Sequence, residues 1–94
     1  METTVDEYQN KVTLVKKYVK GQEDLYLLAK LTEEAGEVAK EIRRKVEGID
    51  TCKDLTSELG DLLWCITAIA ERNDIAMSKV IEANLEKLKQ RGLL

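Results

Sequence analysis

The chain has 94 residues, a formal charge of −3, no proline, no phenylalanine and no histidine, a size that makes one domain, residues 1–94, with a modest core that association would help to complete. The acidic balance excludes a general nucleic-acid binder, which needs a basic surface against phosphates. The missing histidine excludes Ser-His-Asp and Cys-His nucleophile systems and the usual zinc sites, so catalysis falls to carboxylates, lysine, arginine or a hard metal.

Leu, Ala, Glu and Lys dominate, and with proline absent and glycine scarce they predict an all-α domain. No apolar run is long enough to cross a membrane, no basic-then-apolar leader opens the chain, and Cys52 and Cys65 form no C-x-x-C pair. The expectation is a cytoplasmic chain with reduced thiols, no nucleic-acid partner and no membrane partner.

Helix one is predicted over about residues 4 to 20. Thr4 and Glu7 make a capping box, Val5, Tyr8, Val12, Val15 and Val19 keep the helical period, and Gly21 follows the end. Tyr8, Tyr18 and Tyr26 read as packing residues. Helix two follows Gln22-Glu23-Asp24 and runs to Gly48, with Leu28, Leu31, Ala35, Val38, Ile42 and Val46 as its apolar positions. Arg43, Arg44 and Lys45 suit the negative end of its dipole.

This second helix carries four carboxylates, Glu33, Glu34, Glu37 and Glu41, within three turns. Glu34, Glu37 and Glu41 form a stripe beside Leu27, Leu31, Val38 and Ile42. Like charges so placed destabilise a helix unless a cation sits among them.

Helix three is capped by Asp50 or Thr51. Leu55, Leu59, Leu62, Ile66 and Ile69 are its expected core face, while Trp64, Cys65 and Ala68 put apolar surface on other sides. A helix apolar all round is buried all round, which in so short a chain points to a second copy, with Trp64 as interface anchor or, as the alternative, a group that stacks on a nucleobase. Glu58 and Asp61 repeat the i, i+3 acidic spacing on this helix, so that four oxygen ligands can meet between helices two and three. Oxygen ligands without sulfur or imidazole suit magnesium or manganese, and the chemistry that follows is attack of water on a phosphoryl group.

After Asn73-Asp74, helix four is predicted over about Ala76 to Arg91, with Met77, Val80, Ile81, Leu85 and Leu88 facing the core. Asn84, Lys87 and Arg91 share one margin, which either holds phosphates and a polar ligand group or is a solvated face.

Glu33-Glu34-Ala35-Gly36-Glu37 followed by Glu58-Leu59-Gly60-Asp61 resembles the E-E-x-x-E and E-x-x-D signature of the MazG-type nucleotide pyrophosphohydrolases, within the all-α NTP pyrophosphohydrolase superfamily. Trp64 stands where that family usually has an aromatic, and the stretch from Ala83 to Arg91 is similar to its closing A-N-x-x-K-x-x-x-R run. Gly92 departs from the family, in which an aromatic often follows the arginine.

The resemblance implies a four-helix, MazG-like bundle completed by homo-oligomerisation as a homodimer or homotetramer. It implies Mg²⁺ (or Mn²⁺) ligands at Glu34, Glu37, Glu58 and Asp61, and contacts from Asn84, Lys87 and Arg91 to a nucleoside triphosphate. Glu33 takes a water-orienting role or one behind the metal ligands. The implied reaction cleaves the triphosphate to a monophosphate and pyrophosphate, as house-cleaning of the nucleotide pool. Two alternatives stay open: a phosphoribosyl-ATP pyrophosphohydrolase, and a non-catalytic helical interaction module whose acidic face meets a basic partner.

Overall fold

The computed structural model describes residues 2–12 and 21–94. Among these it is all-α, with α1 at Val5–Val12, α2 at Glu23–Val46, α3 at Cys52–Arg72 and α4 at Met77–Gln90, and no strand. The expected reach of the first helix to about residue 20, with Val15, Tyr18 and Val19, lies outside the described residues. Among the described residues no helix is long and apolar enough to cross a membrane.

Local chemistry sets the ends. Thr4 Oγ1 accepts the Glu7 backbone N–H at 3.1 Å and Glu7 Oε1 accepts the Thr4 N–H at 3.4 Å, which closes the capping box. Just past α2, Gly48 takes a φ of 89°, its N–H bonding the Lys45 carbonyl while the Ile49 N–H bonds that of Arg44. Of the two capping candidates for α3, Thr51 occupies the cap position without a side-chain bond, and Asp50 Oδ1 accepts the Cys52 N–H at 3.1 Å. α3 stops in the same bonding pattern as α2, with Asp74 taking the left-handed position at φ 56°.

The short turn between α2 and α3 folds them back on each other, and they form the main interface of the chain. The seam of α2 runs through Leu27, Leu31, Glu34, Val38 and Glu41, all buried or half-buried. Their alternating spacing of four and three keeps one stripe against a partner helix. The opposing stripe of α3 is Thr51, Leu55, Glu58, Leu62, Cys65 and Ala68. Three seam positions are therefore glutamates. Val12, Leu27 and Ala68 form the buried apolar cluster, with Tyr8, Tyr26, Trp64 and Ile69 packed on it. Tyr8 and Tyr26 thus pack as expected.

Several expected core positions are outside. On α2, Leu28 is 62 % exposed and Val46 83 %, with Ala35 and Ile42 also exposed, because the seam follows a period of 3.5 and passes them by. On α3, Leu59 and Ile66 are exposed, while the small residues Cys65, Thr67, Ala68 and Ala70 are buried. Only small side chains fit where α3 meets two neighbours. Trp64 spends part of its surface on the chain's own core, so Leu59, Leu63 and Ile66 are the freer apolar groups.

α4 lies against α1 and α3 and makes no contact with α2. Among the residues expected to face the core from α4, Met77 is buried and Leu88 half-buried, whereas Val80, Ile81 and Leu85 are exposed. The radius of gyration is 15.4 Å, against about 12 Å for a compact chain of this length.

Candidate metal centre

Glu34 faces α3 because it occupies a seam position of α2, and its residue is 7 % exposed. Glu58 takes the matching place on α3, half-buried, and Asp61 stands one turn later at the exposed edge. One carboxylate oxygen from each of the three lies within 4.8 Å of the other two. Glu37, one turn beyond Glu34, does not join this group, yet it is near enough to act on Glu58. Burial first, then Glu37, then Asp61, Glu34 and Glu41, push the Glu58 carboxyl above the usual carboxylate range.

The neutralising charges are few. Lys30 Nζ lies 3.4 Å from Glu34 Oε1 and 3.7 Å from Glu33 Oε1. Glu33 first, and the hydrogen bond to Glu34 in support, raise the lysine above its ordinary pKa against the opposing effect of burial. Among the described residues, Glu37, Glu58 and Asp61 have neither a hydrogen bond nor an ion pair. Glu41, 4 % exposed, is satisfied by Arg44 Nη1 at 2.6 and 2.9 Å, and Arg44 reaches on to Asp54 at 3.3 Å. Within the stripe, Glu41 and Glu34 are thus the acids paired with a cation, Glu41 by the shorter contacts.

A divalent ion fits the donor set. A hard octahedral cation with ligands at about 2.1 Å sets its oxygens about 3.0 Å apart when adjacent and about 4.2 Å when opposite. The three oxygens, all within 4.8 Å of one another, are spaced on that scale. The nearby thiol does not add a soft ligand, because burial first, and then Glu34, push Cys65 up and keep it protonated at neutral pH. Carboxylates alone suit magnesium or manganese.

The α4 residues lie elsewhere. Asn84 and Lys87 line a cleft of about 380 Å³ with Ile75, Lys79, Val80 and Ala83, and none of the acids borders it. Arg91 is exposed at the C-terminal cap of α4.

Three residues around these sites escaped the sequence reading. Lys30 was legible as the cation four residues before Glu34. Arg44 looked like a dipole cation and instead has named partners. Buried Gln9, which bonds to Glu71, Ile75 and Met77, gave no local signal, since all three partners are more than sixty residues away.

Residues 22–92, which hold α2, α3, α4 and all the candidate site residues, match the model of the MazG nucleotide pyrophosphohydrolase domain. The chain is also similar to the Gene 37 protein of Mycobacterium phage L5, 39% identical in an alignment of 72 positions that covers 70% of this chain. The matched stretch covers 63% of the phage protein, less than two thirds of its length. No solved structure matches the chain. Two acidic pairs on adjoining helices, an all-α fold and a match spanning both together place the chain in the MazG nucleotide pyrophosphohydrolase domain family.

Proposed function

We propose that the protein is a magnesium- or manganese-dependent nucleoside triphosphate pyrophosphohydrolase, which cleaves between the α and β phosphates to give a monophosphate and pyrophosphate. House-cleaning of the nucleotide pool is the role this reaction suits. One observation carries the reading: Glu34, Glu58 and Asp61 converge across the α2–α3 seam, and Glu58 and Asp61 have no counter-ion among the described residues.

Glu34, Glu58 and Asp61 would hold the ion, with Glu37 turning in from the next turn of α2 as a fourth ligand. When bound, the ion supplies positive charge against the polyphosphate and Lewis acidity at the attacked phosphorus. A bare acidic cluster repels a triphosphate, so the carboxylates by themselves cannot bind the substrate. Glu33, exposed and paired with Lys30, would orient the attacking water or act behind the metal ligands. Asn84, Lys87 and Arg91 bind the polyphosphate and a polar group of the nucleotide, with Lys87 and Arg91 offering charge-assisted hydrogen bonds.

α4 does not reach α2 within one chain, so this reading pairs the carboxylates of one copy with the α4 cations of another. Exposed Leu59, Leu63, Ile66, Val80, Ile81 and Leu85 supply apolar surface for a homodimer or homotetramer.

The test is a panel of canonical, deoxy and damaged triphosphates with phosphoribosyl-ATP, incubated with magnesium and resolved by ion-exchange chromatography. Monophosphate and pyrophosphate are expected. Diphosphate with orthophosphate rejects the bond assignment, a preference for phosphoribosyl-ATP rejects the substrate class, and no metal-dependent product rejects the enzyme.

A further inference from the structure

Lys30 and Glu34 are an unequal pair. The glutamate side chain is 9% exposed and fixed in the α2–α3 seam, whereas the lysine side chain is 32% exposed and ends a flexible four-carbon stem. Among the described residues, Lys30 is the one cation paired with any of the acids Glu33, Glu34, Glu37, Glu58 and Asp61. Its partner oxygen belongs to a carboxylate that also meets Glu58 and Asp61.

We infer that Lys30 is an exchangeable counter-ion of the metal centre, holding Glu34 while no divalent cation is bound and yielding that carboxylate when one binds. The inference rests on the metal-dependent reading above. An ammonium and a divalent ion drawn to one carboxylate repel each other, and the partly exposed lysine is the member that can leave. Lys30 is therefore a positioning residue with effects of opposite sign in the two states. It steadies the acidic seam before the metal arrives and weakens the metal's hold afterwards.

The experiment titrates Mn²⁺ without nucleotide, reading free ion by electron paramagnetic resonance, and follows thermal unfolding in EDTA. It uses wild type, Lys30→Met, Lys30→Arg and the control Lys40→Met, which removes an exposed charge from the same helix. Lys30→Met keeps the apolar stem and is expected to bind Mn²⁺ about two- to fivefold more tightly, the reach of a partly exposed ion pair. It should also unfold at a lower temperature than wild type in EDTA. Lys30→Arg should stay close to wild type in both measurements, and Lys40→Met should change neither by a comparable amount. Equal or weaker Mn²⁺ binding by Lys30→Met overturns the exchange, as does an equal gain in Lys40→Met, which would reduce it to net charge. Saturable wild-type binding with no change in Lys30→Met defeats this inference alone, and absence of wild-type binding defeats the metal-dependent reading with it.

Discussion

Gln9 Oε1 accepts a 2.7 Å hydrogen bond from the backbone N–H of Met77, the first residue of α4, so the cap that Ala76 lacks is supplied from α1. The Gln9 amide nitrogen donates to Glu71 Oε2 and to the Ile75 carbonyl, both at 2.9 Å. One buried carboxamide thus ties α1, the end of α3 and the start of α4 together. Gln9→Ala leaves the Met77 N–H and the Ile75 carbonyl without this partner, and is expected to lower unfolding stability in urea by about 1–3 kcal/mol. Gln9→Glu keeps the acceptor, loses the donor and sets a second carboxylate beside Glu71, so it should do no better than alanine. Stability within about 0.5 kcal/mol of wild type for both would show that α4 is held by other contacts.

The Arg44–Glu41 pair separates a structural acid from the candidate metal ligands. Arg44→Met strands a buried carboxylate and should lower the melting temperature, whereas Arg44→Met with Glu41→Leu should recover much of the loss, because an apolar pair suits that seam. Magnesium-dependent activity of the double variant should persist. Loss of metal binding in it would instead put Glu41 among the ligands.

These roles explain what could be read in the sequence and what could not. Capping signals and helix order were legible, since a Thr-x-x-Glu box and a glycine after a helix act within a few residues. Which face of α2 turned inward was not, because an apolar residue at Leu28, Ile42 or Val46 looks like core until the partner helix is known. Reading Leu27, Leu31, Glu34, Val38 and Glu41 as one stripe requires placing glutamates in an interior, which hydrophobic periodicity alone argues against. The acidic pairs marked the region through their chemistry: of the four acids the spacing singled out, Glu34, Glu58 and Asp61 lie together, and Glu37 stands outside the group. The distance of α4 from α2 and the buried role of Gln9 are tertiary facts with no signature in local pattern.

On α4, the cleft beside Asn84 and Lys87 gives the phosphate reading a surface to act on. Lys87→Ala or Arg91→Ala should weaken nucleotide binding by on the order of 1.5–3 kcal/mol each, the worth of a charge-assisted hydrogen bond. Asn84→Ala should cost less, since a neutral bond is lost. Calorimetric titration with a non-hydrolysable triphosphate reads these values, and Mn²⁺ affinity without nucleotide should hardly move. Unchanged nucleotide affinity in all three variants would return the stripe to a solvated face.

Glu58 lets metal, pH and stability be read in one protein. Its carboxyl is raised by burial and by the surrounding acids, so the folded metal-free chain holds that proton more tightly than the unfolded chain does. The sign follows: with fewer protons on the unfolded state, stability falls as pH rises through the ordinary carboxylate value to the folded one, and is regained on acidification. The comparison that isolates Glu58 is wild type against Glu58→Gln. In EDTA the variant should match or exceed wild type at neutral pH, and its advantage should shrink as pH falls into the range where Glu58 takes up its proton. With magnesium the order should reverse, because wild type gains stability by mass action and the variant has lost a ligand. Glu34→Gln, Glu37→Gln and Asp61→Asn should likewise lose the magnesium response and most of the activity. The measurement is thermal unfolding across pH with and without magnesium. A wild type indifferent to millimolar magnesium would remove the four-carboxylate site, and a variant advantage that does not vary with pH would show that Glu58 is not the group whose proton is held.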